Sequence, residues 1–156
     1  MKIICTICAR KNSTGIKNKS IKILGDMPLI AHTITQAKQA KIFDKIIVST
    51  DSKVIQKVAI KYGADSWFLR PKKLATKISS KEAAIRHALI EAEKHYKKKF
   101  DICVDLDLTA PLRNINDILS ALNLFKKTNS SILFSVSKSK KNPYFNMVEI
   151  ENKKVK

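Results

Sequence analysis

A basic loop follows the first apolar segment of the chain and carries the residue types that bind phosphate groups. Residues 9–19 combine four cationic side chains with a hydroxyl pair and one glycine, namely Arg10, Lys11, Lys17, Lys19, Ser13, Thr14 and Gly15. A triphosphate needs cationic groups and a backbone that can approach closely, which Gly15 allows. The loop lacks the second glycine of a Walker P-loop and the GxGxxG of dinucleotide-binding folds. It therefore indicates a phosphate site of another kind, with an ordinary basic surface loop as the alternative.

A second group of chemically active side chains lies at residues 105–113. Asp105 and Asp107 are two residues apart at the end of an apolar run, so in a strand both would point to the same face. A carboxylate at a strand end can hold Mg²⁺, and ligands bind at the carboxyl ends of parallel strands. We therefore predict that Asp107 is the metal-linked carboxylate and that Asp105 accepts backbone donors; the alternative is that one of the two caps a turn. Arg113 could bind a phosphate or a sugar carboxylate, or form a structural salt bridge.

The elements that would position these groups alternate between strand and helix. Short β-branched runs predict strands, and stripes of apolar residues with capping residues predict helices. The predicted strands are 2–8, 45–49, 66–69, 100–106, 131–136 and 144–150, and the predicted helices are 28–40, 51 or 52 to 62 with Gly63 as C-cap, 79–96, and 116 or 117 to 127. This alternation predicts an α/β domain over 1–156 with a mainly parallel sheet. Residues 151–156 have the pattern of part of a β-hairpin.

Composition narrows the class of protein. The formal net charge is +18, which would suit a nucleic-acid binder. However, nearly all of the positive charge is lysine scattered along the chain, with no interleaved aromatic stripe, and nucleic-acid readers favour arginine. We therefore disfavour an RNA-binding domain and expect no nucleic-acid partner. The same charge would attract an anionic substrate.

Cysteine usage and hydropathy exclude further classes. Cys5 and Cys8 have CxxC spacing, but positions three apart in a strand point to opposite faces and no second pair completes a zinc site. The sequence shows no apolar run of the roughly 18–20 residues that span a membrane. Its first residues do not have the pattern of a signal peptide. We expect a cytoplasmic protein without a membrane partner.

Five motifs in register resemble the acylneuraminate cytidylyltransferase family, whose members make CMP-activated sialic, legionaminic and pseudaminic acids. In chain order they are the ARxxSxGIxxK stretch from Ala9 to Lys19, Leu24 to Ile30, Ser49 to Ser52, Arg70-Pro71 with Leu74-Ala75, and Thr109 to Arg113. The segment from Asp105 to Thr109 is more similar to the legionaminic branch, because the neuraminic branch usually has Gln at position 107. Ser20 and Lys77 stand where the family usually has Asn and Asp.

The resemblance implies a three-layer Rossmann-like nucleotide-diphospho-sugar transferase fold that joins CMP from CTP to an acidic nine-carbon sugar. It implies that Arg10 and Lys19, with Ser13 and Gly15, hold the CTP phosphates, and that Arg70 and Ser80 line the cytosine pocket. We assign Arg10, Lys19 and Asp107 to catalysis, Asp107 to Mg²⁺, and Arg113 to the sugar.

The family fold continues beyond residue 156, so the resemblance covers it without its C-terminal part. In the family that part supplies a dimerisation arm, much of the sugar pocket and a pair of acidic metal ligands. We therefore expect a homodimer only where that part is present. Two functions remain open, an active cytidylyltransferase and a non-catalytic nucleotide-binding remnant of the family.

Overall fold

The structure is a computed structural model that describes residues 1–12, 15–128, 130–136, 150–151 and 154–155. The chain divides into two compact units, Met1–Leu119 and Ser120–Lys156. The expectation of a single domain over 1–156 stays a prediction. Within the described ranges, no helix is long and apolar enough to cross a membrane.

Strands and helices alternate along the first unit in an α/β arrangement, and the second unit adds two short strands. In chain order the described elements are β1 (Ile3–Ala9), β2 (Ile23–Leu24), β3 (Met27–Pro28), α1 (Leu29–Ala40), β4 (Lys45–Thr50), α2 (Lys53–Lys61), α3 (Lys81–Tyr96), β5 (Ile102–Asp105), α4 (Ile115–Lys127), β6 (Ile150–Glu151) and β7 (Lys154–Val155). Short 3₁₀ helices occur at Lys19–Ile21 and Lys72–Leu74. The main helices and the strands β1, β4 and β5 lie within about two residues of their predicted bounds.

The central sheet is parallel, as predicted. β1 lies between β4 and β5 and pairs with both in parallel, with Cys8 opposite Ser49 and Thr6 opposite Asp105. A strand in this position is covered on both faces, which explains why its sequence is a nearly continuous apolar run. The carboxyl ends of the three strands meet at one edge of the sheet, and the loops that follow them meet there too.

Helices cover both faces of this sheet. On one face, Cys5 and Ile7 of β1 belong to a buried cluster with side chains of α1 and α2. On the other face, Ile4 packs with Ala88 and Ala92 of α3. The three layers therefore form as expected, and Cys5 and Cys8 do point to opposite faces because successive residues of a strand alternate.

The ends of two helices follow their capping residues. The Ser52 hydroxyl accepts a hydrogen bond from the Ile55 amide at the start of α2, and Gly63 after α2 has the left-handed φ of 90°. Helix α4 begins earlier than predicted, at Ile115. The reason is a reciprocal cap: the Asp117 amide donates to the Asn114 side chain at 2.9 Å, and the Asn114 amide donates to the Asp117 carboxylate at 2.8 Å.

Two predicted strands are wrong. Residues 66–69 do not form the predicted strand. Next to them only a single bridge forms, between Asp65 and Ile47 of β4, because the Ser66 hydroxyl donates to the Val48 carbonyl at 2.9 Å and replaces the next ladder bond. Residues 131–136 do not form a strand, since no segment in the described part of the chain pairs with them. The prediction for 144–150 lies outside the described residues except for Ile150, which begins β6. The predicted hairpin is confirmed by the antiparallel pair β6 and β7.

Candidate active site

One cavity, of about 390 Å³, lies among the loops that follow the central strands. Its walls come from the loop after β1 (residues 10–18, the β1 loop), from the loop after β5 (residues 106–114, the β5 loop), and from the segment that leads into α3. Six of the residues predicted from sequence line it, namely Arg10, Gly15, Lys19, Arg70, Ser80 and Asp107. Ser13 lies outside the described residues. Arg113 is absent from the cavity wall.

The β1 loop brings positive charge to the cavity, and its described residues form few contacts. Within the described ranges, the Arg10 guanidinium donates one hydrogen bond, from Nη1 to the Thr76 carbonyl at 2.8 Å. The Lys11 amide donates to the Asp51 carboxylate at 2.7 Å and ties the start of the loop to the end of β4. Lys19 begins the 3₁₀ turn and its ammonium forms no ion pair with any described residue. Arg10 and Lys19 therefore have charge to offer an anion.

Arg70 is held differently, because it is buried. Only 6% of the residue is exposed, and its Nε and Nη2 donate to the Ser49 hydroxyl at 3.0 Å and to the Ser49 carbonyl at 2.5 Å. Its amide also donates to the Thr50 carbonyl at 2.7 Å. No carboxylate among the described residues pairs with it. The result is a fixed, uncompensated positive charge in the cavity wall.

The N-terminal end of α3 also borders the cavity. Ser80 caps this helix by accepting a hydrogen bond from the Ala83 amide at 3.2 Å. Ser79, Ser80, Lys81 and Ala84 all line the cavity. The end of a helix with free amide groups and the positive end of the helix dipole favours a negatively charged ligand. This feature adds to the cationic side chains described above.

The acidic pair at the end of β5 converges on one cation. Lys81 Nζ lies 2.7 Å from Asp105 Oδ2 and 3.1 Å from Asp107 Oδ2. The other oxygen of Asp105 accepts the Thr6 hydroxyl at 3.0 Å, and the other oxygen of Asp107 accepts the Thr109 amide at 2.8 Å and hydroxyl at 2.7 Å. The two aspartates thus share a face, as predicted. It is Asp107 that caps the turn, whereas Asp105 binds side chains and not the backbone donors we expected.

These contacts shift two pKa values in opposite directions. Burial alone would raise the pKa of Asp107, but the Thr109 amide and hydroxyl and the Lys81 ammonium outweigh it and lower that pKa to about 2. Burial alone would lower the pKa of Lys81, but its hydrogen bonds and attraction to Asp105 and Asp107 raise it above the usual lysine value. Both side chains are therefore charged at neutral pH.

Arg113 belongs to the β5 loop, and its side chain contacts α1 and the backbone of the loop. Its Nη2 donates to Gln36 Oε1 and to the Asp107 carbonyl, both at 3.3 Å, and its Nε is buried with no hydrogen bond to the described residues. The Gln36 amide in turn donates to the Pro111 carbonyl at 2.8 Å and to the Arg113 carbonyl at 2.6 Å. Arg113 therefore braces the loop, and its sugar-binding role stays a prediction.

Lys81 and Cys8 are two of the cavity residues that sequence reasoning did not predict. Lys81 is one of many lysines and nothing in its spacing singles it out; only the fold brings the start of α3 beside β5. Cys8 could have been found, because alternation along β1 places it on the same face as Thr6 and because it lies near the carboxyl end of the strand. Burial raises the pKa of the Cys8 thiol to about 12, so it is a poor nucleophile.

A parallel sheet with a cationic cavity and an acidic pair at its carboxyl edge is the arrangement of an α/β protein that binds its ligand at that edge. The family model of the cytidylyltransferases matches residues 4–155, and the chain belongs to that family. It is 44% identical over 153 residues to a CMP-N,N'-diacetyllegionaminic acid synthase of Campylobacter jejuni and 42% identical over 153 residues to the post-translational flagellin modification protein B of Campylobacter coli. These alignments cover 98% of the chain and 65% of each relative.

A solved structure shows the same fold. It is a CMP-2-keto-3-deoxy-manno-octonic acid synthetase in complex with CTP, with a TM-score of 0.66 and 20% identity over 81% of this chain and 48% of the other. At this identity the likeness concerns the fold alone. It confirms the Rossmann-like cytidylyltransferase architecture inferred from the five sequence motifs.

Proposed function

We propose that this chain binds CTP in the cavity and joins CMP to the anomeric hydroxyl of a nonulosonic acid, with release of pyrophosphate. The observation that carries the proposal is the convergence of Arg10, Lys19, Arg70 and Asp107 on one cavity. The negative charges of a nucleoside triphosphate would be balanced there by cationic side chains and by a helix N-terminus. Support for the sugar comes from relatives named as synthases of CMP-legionaminic acid and as pseudaminic acid cytidylyltransferases.

In this proposal each wall of the cavity has its own part of the nucleotide. Arg10 and Lys19 bind the phosphates, with Gly15 and Ser13 of the β1 loop. Arg70 and Ser80, which line the same cavity, bind the cytidine. The sugar hydroxyl oxygen attacks the α-phosphorus, and the bond from that phosphorus to the bridging oxygen breaks as pyrophosphate leaves. The protein acts mainly by positioning and by neutralising charge.

The acidic pair fits a magnesium ion. Asp105 Oδ2 and Asp107 Oδ2 both lie within 3.1 Å of a single point, the Lys81 nitrogen, and carboxylate oxygens are the ligands that Mg²⁺ prefers. Among the described residues no cluster of three or more acidic, histidine or cysteine side chains could hold a metal, so waters and phosphate oxygens would complete the shell. Bound there, Mg²⁺ would neutralise charge on the triphosphate. We propose Asp107 as the principal ligand because it is the more exposed of the two.

The runner-up is a chain that binds nucleotide without transferring it. The chain spans 65% of the length of the relatives it matches. We propose a homodimer only where the C-terminal part of the family fold is present. In either case we propose that the protein works in the cytoplasm, where CTP is made.

Two measurements test the function. Calorimetry with CTP, UTP and ATP should show tightest binding of CTP, and equal affinity for all three would contradict the cytidine assignment. Ser20 and Lys77, which depart from the family pattern, both line the cavity and make this a demanding comparison. A pyrophosphate-release assay with CTP and a panel of nonulosonic acids should then show turnover. Selective CTP binding without turnover would establish the runner-up.

A further inference from the structure

Lys81 occupies the point at which the two carboxylates converge. It is the first residue of α3, its side chain is 49% exposed, and its ammonium pairs with both Asp105 and Asp107. Cavity walls often include lysines, but these distances of 2.7 and 3.1 Å place this one between two acids. The ammonium therefore stands where a divalent cation bound to the same two oxygens would stand.

The other oxygens of these two acids are already engaged. One oxygen of Asp105 accepts the Thr6 hydroxyl, and one oxygen of Asp107 accepts the Thr109 amide and hydroxyl. The two oxygens that face Lys81 are therefore the pair on which a cation can bridge both acids. Two cations a few ångströms apart in a partly buried site repel each other. A divalent ion and the Lys81 ammonium thus compete for these two oxygens.

We propose that Lys81 is the resident counter-ion of the acidic pair and couples metal binding to nucleotide binding. Without nucleotide, its ammonium offsets one of the two negative charges of Asp105 and Asp107 and keeps divalent ions weakly bound. When a triphosphate enters, the long lysine side chain transfers its ammonium to phosphate oxygens in the same cavity and frees the two carboxylates for the metal. The second step rests on the proposed function, whereas the first is a property of the free protein.

The first step is tested with Mn²⁺ as the probe, in the absence of nucleotide. Binding is followed by the electron paramagnetic resonance signal of free Mn²⁺ in the wild-type protein and in Lys81→Gln, Lys81→Arg and Lys77→Gln. Lys77 lines the same cavity but forms no ion pair with the described residues, so its variant controls for the loss of one charge. Two ion pairs are lost in Lys81→Gln, so we expect it to bind Mn²⁺ about ten-fold more tightly. Lys81→Arg and Lys77→Gln should stay within about two-fold of the wild type.

Unchanged Mn²⁺ affinity in Lys81→Gln, with its melting temperature preserved, would overturn the proposal. So would an equal gain in Lys77→Gln, because then only the overall field of the cavity matters. If Lys81→Gln does not fold, Lys81→Met, which keeps the aliphatic stem, takes its place in the same comparison.

The second step is tested by adding CTP. Saturating CTP should tighten Mn²⁺ binding by a larger factor in the wild type than in Lys81→Gln, because the variant has no ammonium to remove. Equal factors would overturn the coupling. If CTP does not bind at all, the proposed function fails, and the nucleotide-free Mn²⁺ series still decides the role of Lys81.

Discussion

The β1 loop and the β5 loop face the same cavity but are built in different ways. In the β5 loop each important group has several fixed partners: Asp107 accepts two bonds from Thr109 and one from Lys81, and Gln36 ties two carbonyls of the loop to α1. In the β1 loop the Arg10 guanidinium donates a single hydrogen bond to the part of the chain that the structure describes, and it goes to the Thr76 carbonyl. The same edge of the sheet thus carries one wall held by internal bonds and one wall rich in free charge.

The difference reflects what each wall would bind. A small cation needs oxygen atoms fixed within a few tenths of an ångström, so its ligands must be held before it arrives. A triphosphate is large and highly charged, and cationic side chains can adjust to it at low cost in protein stability. Substitutions in the β1 loop should therefore affect ligand binding alone. On the β5 side, substitution of the largely buried Asp105 should affect folding, whereas substitution of the half-exposed Asp107 should affect mainly binding.

The largest effect is expected from Arg10→Ala. Loss of a charge-assisted contact to phosphate should weaken triphosphate binding by roughly 1.5–3 kcal/mol, about ten- to hundred-fold. Since Arg10 donates one hydrogen bond within the described residues, the free energy of unfolding should change little. Calorimetry with CTP and urea unfolding measure the two quantities. Lys97→Ala, in an exposed lysine run, is the matched control, and an equal loss of affinity there would mean that only the diffuse field matters.

Asp105→Asn should show the opposite pattern. The Asp105 side chain is only 14% exposed and forms the shorter of the two ion pairs with Lys81. Its replacement should lower the free energy of unfolding by about 1.5 kcal/mol, the value of a hydrogen bond to a charged group. Asp26→Asn, at an exposed turn, should be nearly neutral. A stable Asp105→Asn protein would show that the β5 wall is not held in the way its contacts indicate.

The sequence predicts more of the fold than of the site. β1 was recognisable because a central parallel strand is apolar on both faces, and α2 because Ser52 and Gly63 mark its ends. The strand predicted at 66–69 fails because of a single hydroxyl, that of Ser66, which replaces a ladder bond to the Val48 carbonyl. The six cavity residues were found through motifs, whereas Lys81 was not, because its role depends on two elements that are distant in sequence. Side chains that act through long-range geometry have no local pattern.

A smaller effect is expected for Asp107→Asn. Half of this side chain is exposed, so its ion pair with Lys81 is worth little to folding. Its metal role should instead appear as about a five-fold loss of Mg²⁺-dependent CTP affinity, since one of two carboxylates remains. Titration of Mg²⁺ at fixed CTP measures this loss. If Asp105→Asn abolishes the metal dependence while Asp107→Asn keeps it, the assignment of the principal ligand is inverted.

The smallest effect concerns the turn that holds Asp107. The Thr109 hydroxyl donates to Asp107 Oδ1 at 2.7 Å and helps to lower the pKa of this carboxyl from 3.8 to about 2. A carboxyl whose folded pKa is lowered stabilises the protein above the unfolded pKa, and that stability is lost as the pH falls through the folded value. Thr109→Val keeps the shape but removes the hydroxyl, so the pKa of Asp107 should move back toward 3.8 and the acid loss should begin at higher pH. Since half the side chain is exposed, the change in unfolding free energy should stay below ~1 kcal/mol.

Carbon NMR titration of Asp107 measures the pKa, and urea unfolding between about pH 2 and 5 measures the stability. Thr109→Ser retains the hydroxyl and should titrate like the wild type. Identical titrations of the valine and serine variants would mean that the amide and Lys81 alone hold this carboxylate, and that the β5 wall depends less on its internal bonds than the comparison with the β1 loop implies.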